Sequence, residues 1–246
     1  MYQKIREPLE NDFHEVNKFI VEQLHSEVSL VESIGHYIVE AGGKRMRPIL
    51  VLLAARGNGI ENDLHIPMAA VIEFIHTATL LHDDVVDMSE LRRGRPTVNA
   101  EWNNPSSVLV GDFIYSRAFQ VLVQIADMRI MEIIANTTNR IAEGEVLQLI
   151  EKSNPQTSEE NYMRVITNKT AILFQAAAQC GAILSKSDSE IAMGTRKNRY
   201  LLLSNEFSEK FTHETVFISP LTPLTSNPTI VGSSIVLRFL RRKSKD

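Results

Sequence analysis

The sequence predicts an all-α protein, because helical periodicity is present along most of the chain and no strand signal precedes the C-terminal tail. Between Leu9 and Leu24 the apolar residues are spaced by four, three, four and four positions, which is one stripe of an amphipathic helix. Hydrophobic residues make up 43 % of the 246 residues, which is enough to bury a sizeable core. We therefore expect a helical bundle of long helices.

Start and stop signals place the first helices. Pro8 begins the first helix, and a second is predicted from about residue 30 to residue 41, where Gly42 and Gly43 end it. Pro48 opens a third, strongly apolar helix. A central helix is predicted over residues 66–88, and a loop of alternating arginines follows it.

The later helices have capping signals of their own. Asn104 is the expected cap of the next helix, with Pro105 in its first turn. Asp127 predicts a tight turn into a helix over residues 129–151, in which Glu145 and Gln148 share a face. Thr157 and Glu160 form a capping box that opens a long helix containing the polar pair Lys169 and Thr170.

Three aspartates lie near the C-terminal end of the central helix. Asp83 and Asp87 are four residues apart and therefore lie one turn apart on the same face, with Asp84 beside them. Like charges at this spacing cost about 0.2–0.5 kcal/mol per pair, and the helix dipole adds to the cost. A divalent cation would remove that cost, and Mg²⁺ typically takes one or two carboxylates together with the phosphates of a substrate.

Two clusters of cations accompany the aspartates. Arg92 and Arg93 follow directly, and guanidinium groups match phosphate oxygens in pairs. Lys44, Arg45 and Arg47 precede the third helix, whose dipole adds positive potential to an anion site. Carboxylates, a metal and arginines together indicate a diphosphate clamp. The alternatives are a solvated acidic helix end and solvated basic turns, which need no ligand.

Charge and cysteine content limit the function classes. Residues 1–193 carry 17 Lys and Arg against 26 Asp and Glu, whereas residues 194–246 carry 9 against 4. An acidic core with a short basic end gives poor support for nucleic-acid binding. Cys180 is the single cysteine, which excludes an internal disulfide. No signal peptide or membrane span is recognised, so we expect a cytoplasmic protein.

The chain changes character near Gly194. A capping box at Ser187 and Glu190 predicts one more core helix, but a basic segment and three prolines follow it. We therefore predict a helical domain over residues 1–193 and a different, basic tail over residues 194–246. Within that tail, residues 230–240 form either a short apolar helix or a strand. The tail is interpreted as an abnormal ending of the reading frame or as a divergent domain.

The ordered motifs resemble those of the trans-isoprenyl (polyprenyl) diphosphate synthases. They are Gly-Gly-Lys-Arg-x-Arg-Pro at 42–48, His76, Leu-Leu-His-Asp-Asp-x-x-Asp at 80–87, Arg-Arg-Gly at 92–94 and Lys-Thr at 169–170. Runs such as Ile-Ala-Glu-Gly-Glu-Val-Leu-Gln-Leu at 141–149 are similar to the bacterial octaprenyl diphosphate synthases of this family. The resemblance covers about residues 1–193 and implies helices around a deep central cavity, usually in a homodimer.

The resemblance also implies roles for the motif residues. Asp83, Asp84 and Asp87 would hold Mg²⁺ on an allylic diphosphate such as farnesyl diphosphate, and Arg92, Lys169 and Thr170 would bind that diphosphate. Lys44, Arg47, His76 and Arg93 would hold isopentenyl diphosphate. The implied reaction is ionisation of the allylic C–O bond, attack by the isopentenyl double bond and loss of a proton. Small residues at Ala78 and Thr79, below the first aspartate, imply a long product such as the octaprenyl chain of a quinone.

One motif of the family is missing. A second aspartate motif is expected on the helix that begins at Ser187, yet Asp246 is the only aspartate after Asp188. Its absence predicts strongly reduced activity, and an inactive truncated product or a non-catalytic subunit that pairs with a complete synthase is the alternative. A terpene cyclase would need a later Asn/Asp-rich metal segment that the chain lacks. A metal phosphohydrolase built on His82 and Asp83 would need further ligands that the sequence does not identify.

Overall fold

The computed structural model describes residues 6–152, 154, 156–185, 215–218 and 235–238. These residues fall into two compact units. The first contains residues 6–139 and 176–185, and the second contains the described residues from 140 to 175 together with the two C-terminal strands. Each unit is described by itself.

The described chain is built mainly from α-helices, as the periodicity predicts. A short 3-10 turn, Glu7–Leu9, precedes the first of them. The helices are α1 (Glu10–Gln23), α2 (Ser29–Glu40), α3 (Met46–Gly57), α4 (His65–Val86), the short α5 (Val98–Glu101), α6 (Asn104–Ile125), α7 (Met128–Glu151), α8 (Glu159–Ile166) and α9 (Ile172–Leu184). Among them, α4 is the predicted central helix.

The core of the first unit surrounds α4. This helix packs against α6 most extensively, and also against α3 and α1. Its residues Met68, Ile72 and Ile75 are fully buried, and so are Leu52 of α3 and Ile114 of α6. A helix enclosed on several sides must be apolar around most of its circumference, which explains the hydrophobic run from Met68 to Ile75, interrupted by Glu73.

Close packing between α4 and α6 requires a glycine. A Cβ atom on Gly111 would collide with the His82 ring, whose Nε2 also lies 3.3 Å from Asp112 Oδ1. Ser107 strengthens the same contact, since its buried hydroxyl donates to the Leu81 carbonyl at 2.9 Å. Gly111 therefore serves helix packing, as its apolar surroundings in the sequence indicate.

Two predicted caps are each displaced by one residue. Asn103 caps α6 in place of Asn104, because its extended backbone lets its side chain accept from Ser106 N at 2.8 Å. Ser158 caps α8 in place of Thr157, accepting from Asn161 N at 3.2 Å. The Thr157 hydroxyl is bonded instead to Glu151 and to the Asn154 carbonyl.

The arginine loop after α4 is a hairpin that the sequence did not predict. Strands β1 (Leu91–Arg92) and β2 (Arg95–Pro96) pair antiparallel across Arg93 and Gly94. Both turn residues have positive φ, 55° at Arg93 and 79° at Gly94, as a two-residue hairpin turn of the favoured hand requires. Glycine accepts this backbone without strain, whereas Arg93 adopts it at some cost.

Helix α6 is the single helix of the described residues whose length and hydropathy would allow it to cross a membrane. In the structure it behaves as a core helix, since Val110, Ile114 and Val121 are buried in the first unit. It also carries Asp112 and Arg117. Packing against α4 therefore explains the apolar residues of its buried face.

The second unit contains a π-helical turn, Thr167–Ala171, directly after α8. Near the C-terminus, β3 (Thr215–Ile218) and β4 (Ile235–Arg238) pair antiparallel, so the apolar segment within residues 230–240 includes a strand. The capping box at Ser187 and Glu190 and most of the basic tail lie outside the described residues.

Candidate functional site

The three aspartates occupy different environments at the C-terminal end of α4. Asp84 is 3 % exposed, whereas Asp83 is half-buried and Asp87 is exposed. Asp87 is the C-cap residue, and its backbone N–H still donates to the Asp83 carbonyl at 2.8 Å. The i, i+4 relation between Asp83 and Asp87 is therefore maintained to the end of the helix.

Asp84 is bound by Arg92 of the hairpin. Arg92 Nε donates to Asp84 Oδ2 at 2.9 Å, and Arg92 Nη2 donates to Asp84 Oδ1 at 2.7 Å. This bidentate geometry is the strong form of a charge-assisted hydrogen bond. The bond to Asp84 raises the pKa of Arg92, and the charges of Asp83 and Asp87 act in the same direction. The hairpin is thus anchored to the aspartate segment.

The basic turn before α3 faces α4. Arg47 Nη1 donates to His76 Nε2 at 3.1 Å, so the histidine accepts this bond as a neutral imidazole. Burial, together with the charges of four arginines, lowers the pKa of His76 to about 3. Burial also lowers the pKa of Arg47 to about 10, with opposition from Glu73. Arg47 therefore carries the charge and His76 stays neutral near pH 7.

Arg93 joins the hairpin to the same basic turn. Its Nη1 donates to the Gly42 carbonyl, and its guanidinium lies where a Cβ atom of residue 43 would project. Gly43 has φ +157° and Gly42 has φ +62°. A side chain at residue 43 would displace the Arg93 guanidinium, so glycine there permits the close approach.

His76, Asp84, Arg92 and Arg93 line one pocket of the first unit. The volume of this pocket, including its open mouth, is about 850 Å³. Its charged lining consists of Arg45, Arg92, Arg93 and Arg95 with Glu73 and Asp84, which leaves two positive charges in excess because His76 is neutral. Its apolar lining includes Ile20, Leu24, Ile38, Phe74, Leu80 and Ile114. The pocket thus combines an anion-attracting group of arginines with a hydrocarbon surface.

Lys169 and Thr170 lie in the second unit. Lys169 Nζ donates to Glu145 Oε2 of α7 at 2.7 Å, and both side chains are about a quarter exposed. Lys169 and Thr170 belong to the π-helical turn. This turn approaches α7 so closely that a Cβ atom on Gly144 would lie 2.8 Å from Asn168 Cβ. Single π-helical turns occur frequently at functional sites. Glu145 therefore faces this turn.

A comparison with known proteins gives this geometry a context. The family model described as Polyprenyl synthetase matches residues 28–202. The chain is 53 % identical over 200 residues to octaprenyl diphosphate synthase of Escherichia coli, covering 81 % of this chain and 62 % of that protein. The chain belongs to the polyprenyl synthetase family. It spans about three fifths of the length of the relatives it matches.

Solved structures of the family agree with the fold. Decaprenyl diphosphate synthase from Rhodobacter capsulatus is 48 % identical and superposes with a TM-score of 0.74, over 78 % of this chain and 60 % of that one. Polyprenyl synthase from Caulobacter crescentus, solved with calcium and isoprenyl diphosphate, is 40 % identical with a TM-score of 0.77, over 82 % and 62 %. The predicted all-α isoprenoid-synthase fold is confirmed.

Two carboxylates of this polyprenyl synthetase family member are candidates to hold a divalent metal. Asp83 and Asp87 are less buried than Asp84, whose two oxygens are both bonded to Arg92. Within the described part of the chain, no group of three or more His, Cys, Asp or Glu residues is arranged to hold a metal ion. This donor set suits Mg²⁺, which needs only one or two carboxylates when a substrate supplies phosphate oxygens.

The first unit brings together most of the predicted site residues. Asp84, His76, Arg92 and Arg93 line its pocket, Arg47 is bonded to His76, and Lys44 is exposed on the basic turn. Sequence reasoning missed Glu73 and treated Arg45 only as one cation of a turn. The available signal was Glu73 itself, because a carboxylate within the buried run from Met68 to Ile75 requires an explanation.

Proposed function

We propose that this chain is a Mg²⁺-dependent trans-polyprenyl diphosphate synthase, which joins isopentenyl diphosphate to an allylic diphosphate such as farnesyl diphosphate. The observation that carries the proposal is the pocket in which arginines and His76 lie beside Asp84 and an apolar lining. A substrate of this class has the same two parts, a diphosphate and a hydrocarbon. Arginine forks match the first, and apolar side chains the second.

The allylic diphosphate is assigned to the aspartate side of the site. Asp83, Asp84 and Asp87 are proposed as the acidic motif for Mg²⁺, with Asp83 and Asp87 as direct ligands and Asp84 acting through Arg92. This division is supported by the bidentate bond between Asp84 and Arg92. Lys169 and Thr170 are proposed to bind the same diphosphate. Mg²⁺, when bound, supplies neutralisation of the leaving diphosphate.

Isopentenyl diphosphate is assigned to the basic turn. Lys44, Arg47, His76 and Arg93 are proposed to bind its diphosphate, supported by the bond of Arg47 to His76 and that of Arg93 to Gly42. The neutral His76 can donate one hydrogen bond without adding charge. Binding both diphosphates on fixed cations would hold the reacting carbons in position, so catalysis rests mainly on electrostatics and proximity.

The proposed product is a long polyprenyl diphosphate, with octaprenyl as the chain for a quinone, made in the cytoplasm. A length near eight units rests on the similarity to octaprenyl diphosphate synthase and on small side chains at Ala78 and Thr79. The relative from Rhodobacter capsulatus is named for a decaprenyl product, so the product length requires measurement.

A homodimer is proposed as the assembly. Leu109 and Val123 are each 67 % exposed in the described unit and lie fourteen residues apart on α6, which places them near the same face of the helix. Large exposed apolar side chains on one face favour burial against a partner. Light scattering on the purified chain would test the assembly, and a mass of one chain at micromolar concentration would contradict it.

A second candidate is a non-catalytic subunit. The observation that favours it is the absence of any aspartate between Asp188 and Asp246, where the family carries a second acidic motif. Such a subunit would bind one diphosphate and leave catalysis to a complete synthase. Co-purification with a longer family member would support this candidate.

Incubation of the purified chain with Mg²⁺, farnesyl diphosphate and labelled isopentenyl diphosphate tests the proposal. A ladder of long polyprenyl products is the result expected of a synthase. Mg²⁺-dependent binding of farnesyl diphosphate without elongation would favour the second candidate. Absence of both binding and products would contradict the two candidates together.

Matched variants test whether Mg²⁺-dependent binding of farnesyl diphosphate depends on the aspartates at the C-terminal end of α4. Asp83→Asn and Asp87→Asn should each abolish Mg²⁺-dependent binding of farnesyl diphosphate, because they remove the proposed ligands. Asp63→Asn is the control, since it changes the same charge on an exposed aspartate before α4. Equal effects from all three variants would show that net charge, and not a metal site, controls binding.

A further inference from the structure

Glu73 is a carboxylate within a buried segment of the central helix of the first unit. It lies on α4 three residues before His76, and its neighbours Ile72 and Phe74 are at most 2 % exposed. The Glu73 side chain itself is only 15 % exposed. A buried carboxylate is costly unless it has a charged partner, and the motif residues assigned above do not include it.

The partner of Glu73 is Arg45 of the basic turn. Arg45 Nε lies 3.5 Å from Glu73 Oε1, and the Arg45 side chain is 10 % exposed. Arg45 also has a left-handed backbone, with φ 47° and ψ 41°. This conformation is unfavourable for a residue with a Cβ, so the surrounding contacts must hold it. The pair turns Arg45 towards α4 and leaves Lys44 exposed beside it.

The same carboxylate faces the other cations of the turn and the hairpin. Burial raises the pKa of Glu73, and the charges of Arg45, Arg47 and Arg93 oppose that rise. Arg47 is bonded to His76, and Arg93 to the Gly42 carbonyl of the turn. Cations brought this close repel one another, and a central carboxylate reduces that repulsion before any anion binds.

We propose that Glu73 is a positioning residue, which acts through Arg45 to hold the basic turn against α4 so that isopentenyl diphosphate meets pre-arranged cations. This inference rests on the proposed function and adds a residue to its isopentenyl side. In this proposal Glu73, which lines the pocket, acts on the basic turn and not on the diphosphate itself. Its effect is to fix the backbone between Gly42 and Arg47, from which Lys44 and Arg47 extend.

Calorimetric binding of two ligands tests the role of Glu73. The probes are isopentenyl diphosphate without divalent metal and farnesyl diphosphate with Mg²⁺. Glu73→Gln should weaken the binding of isopentenyl diphosphate about tenfold, because the turn loses its anchor. The affinity for farnesyl diphosphate should stay within about twofold. A general loss of structure would weaken both, so thermal melting is recorded for every variant. Tighter binding of isopentenyl diphosphate by Glu73→Gln would overturn the proposal, since Glu73 would then act as an opposing charge.

A double variant tests the route through Arg45. Arg45→Met should reproduce the loss, and Glu73→Gln combined with Arg45→Met should be no worse than either single variant, because both remove one interaction. Additive losses would show that Glu73 does not act through Arg45. Glu40→Gln is the matched control, since Glu40 is 70 % exposed and lies 3.8 Å from Arg95 of the same pocket. It should leave both affinities unchanged.

The outcomes separate this inference from the proposed function. Unchanged binding of both ligands by Glu73→Gln, with the unsubstituted chain binding normally, would overturn the inference alone. If the unsubstituted chain bound neither ligand, the proposed function would fail, and the inference would fall with it. The result that supports the inference is a selective loss of affinity for isopentenyl diphosphate in both Glu73→Gln and Arg45→Met.

Discussion

Neighbouring residues of one motif have different tasks because they have different surroundings. Asp84 is buried and gives both oxygens to Arg92, whereas Asp87, three residues later, is exposed at the helix cap. A buried carboxylate must be paired, while an exposed one can exchange water for a metal ion. The motif therefore combines a buried aspartate that anchors the hairpin with an exposed aspartate, to which the proposed function assigns the metal.

His76 should make the stability of the protein depend on pH. Its pKa of about 3 lies below the ordinary value of 6.5, because burial and arginine charges disfavour the imidazolium. Its contribution to the free energy of unfolding is complete above pH 6.5 and is lost as pH falls towards 3, by at most about 1.4 kcal/mol per pH unit. Urea unfolding at intervals between pH 4.5 and 7.5 measures this slope.

His76→Gln is the comparison for that slope. The variant has no titrating group at residue 76, so its free energy of unfolding should change less between pH 6.5 and 4.5 than that of the unsubstituted chain. An equal slope in the two proteins would show that other groups cause the pH dependence.

Asp12 and Arg56 form a second residue-scale prediction, away from the pocket. Arg56 donates to both Asp12 oxygens, at 2.8 and 2.6 Å, and these bonds lower the pKa of Asp12 below 3.8. Arg56→Met should reduce the free energy of unfolding by about 1–2 kcal/mol at pH 7, because a nearly buried carboxylate loses its strongest partner. The loss should shrink as pH falls below about 4, where Asp12 of the unfolded chain becomes protonated, and further as pH falls through the lowered pKa of the folded state.

A surface pair provides the control for Arg56. Glu10 is 62 % exposed and lies 3.1 Å from Arg6, one turn earlier. Glu10→Gln should change the free energy of unfolding by less than about 0.5 kcal/mol, since exposed pairs contribute little. Equal losses in the two variants would show that the burial of Asp12 is irrelevant.

At the scale of elements, each unit contains one departure from regular structure that carries predicted site residues. The hairpin turns through Arg93 and Gly94, both with positive φ, and so brings Arg92 back to Asp84. The π-helical turn Thr167–Ala171 carries Lys169, which is bonded to Glu145 of α7. Each carries a side chain whose hydrogen-bond partner lies on another element of the fold.

Packing between α3 and α9 depends on Gly181. A Cβ atom at this position would lie 2.5 Å from the Val51 carbonyl oxygen and 2.9 Å from Ala54 Cβ. Gly181→Ala should therefore lower the free energy of unfolding by about 1–3 kcal/mol, although alanine is the better helix former. Chemical denaturation of the variant measures the change.

Gly57 is the matched control for Gly181. It is also a helical glycine of the first unit, but a Cβ atom there would meet no atom within 4 Å. Gly57→Ala should be neutral or stabilise the protein by up to about 1 kcal/mol. Destabilisation by both substitutions to a similar extent would contradict the packing argument.

At the scale of the whole molecule, the proposed elongation leads us to expect that product length depends on the space behind the proposed diphosphate site. Ala78 is fully buried on α4, one residue before Thr79, which lies a turn from Asp83. Ala78→Phe should shorten the product of elongation, because an aromatic side chain would fill the path of a growing chain. Sizing of the extracted products measures the effect, and an unchanged length distribution would contradict it.

The same substitution requires a stability control, because a phenylalanine in a filled core costs about 1–3 kcal/mol. Ala70→Phe serves as the comparison, since Ala70 is also fully buried but lies three turns from Asp83. A shorter product from Ala78→Phe alone would identify position 78 as a determinant of length. Similar shortening by both variants would indicate a general loss of stability.

The sequence by itself determined the helical class, the central helix and the family. These properties are local or ordered along the chain: a stripe repeats every three to four residues, and motifs occur in a fixed order. The predicted helix ends were within about two residues of those observed. The lack of aspartates between Asp188 and Asp246 was visible in the sequence itself. Periodicity reports burial along one element, so it could not identify partners between elements.

Only the tertiary structure decided which charges meet. It paired Asp84 with Arg92, Glu73 with Arg45, and Lys169 with Glu145, at separations in the chain of 8, 28 and 24 residues. It also made His76 neutral, because burial lowers its pKa and the charges of the basic turn and the hairpin lower it further. Electrostatic effects depend on distance in space and on burial, and residue spacing in the sequence specifies neither.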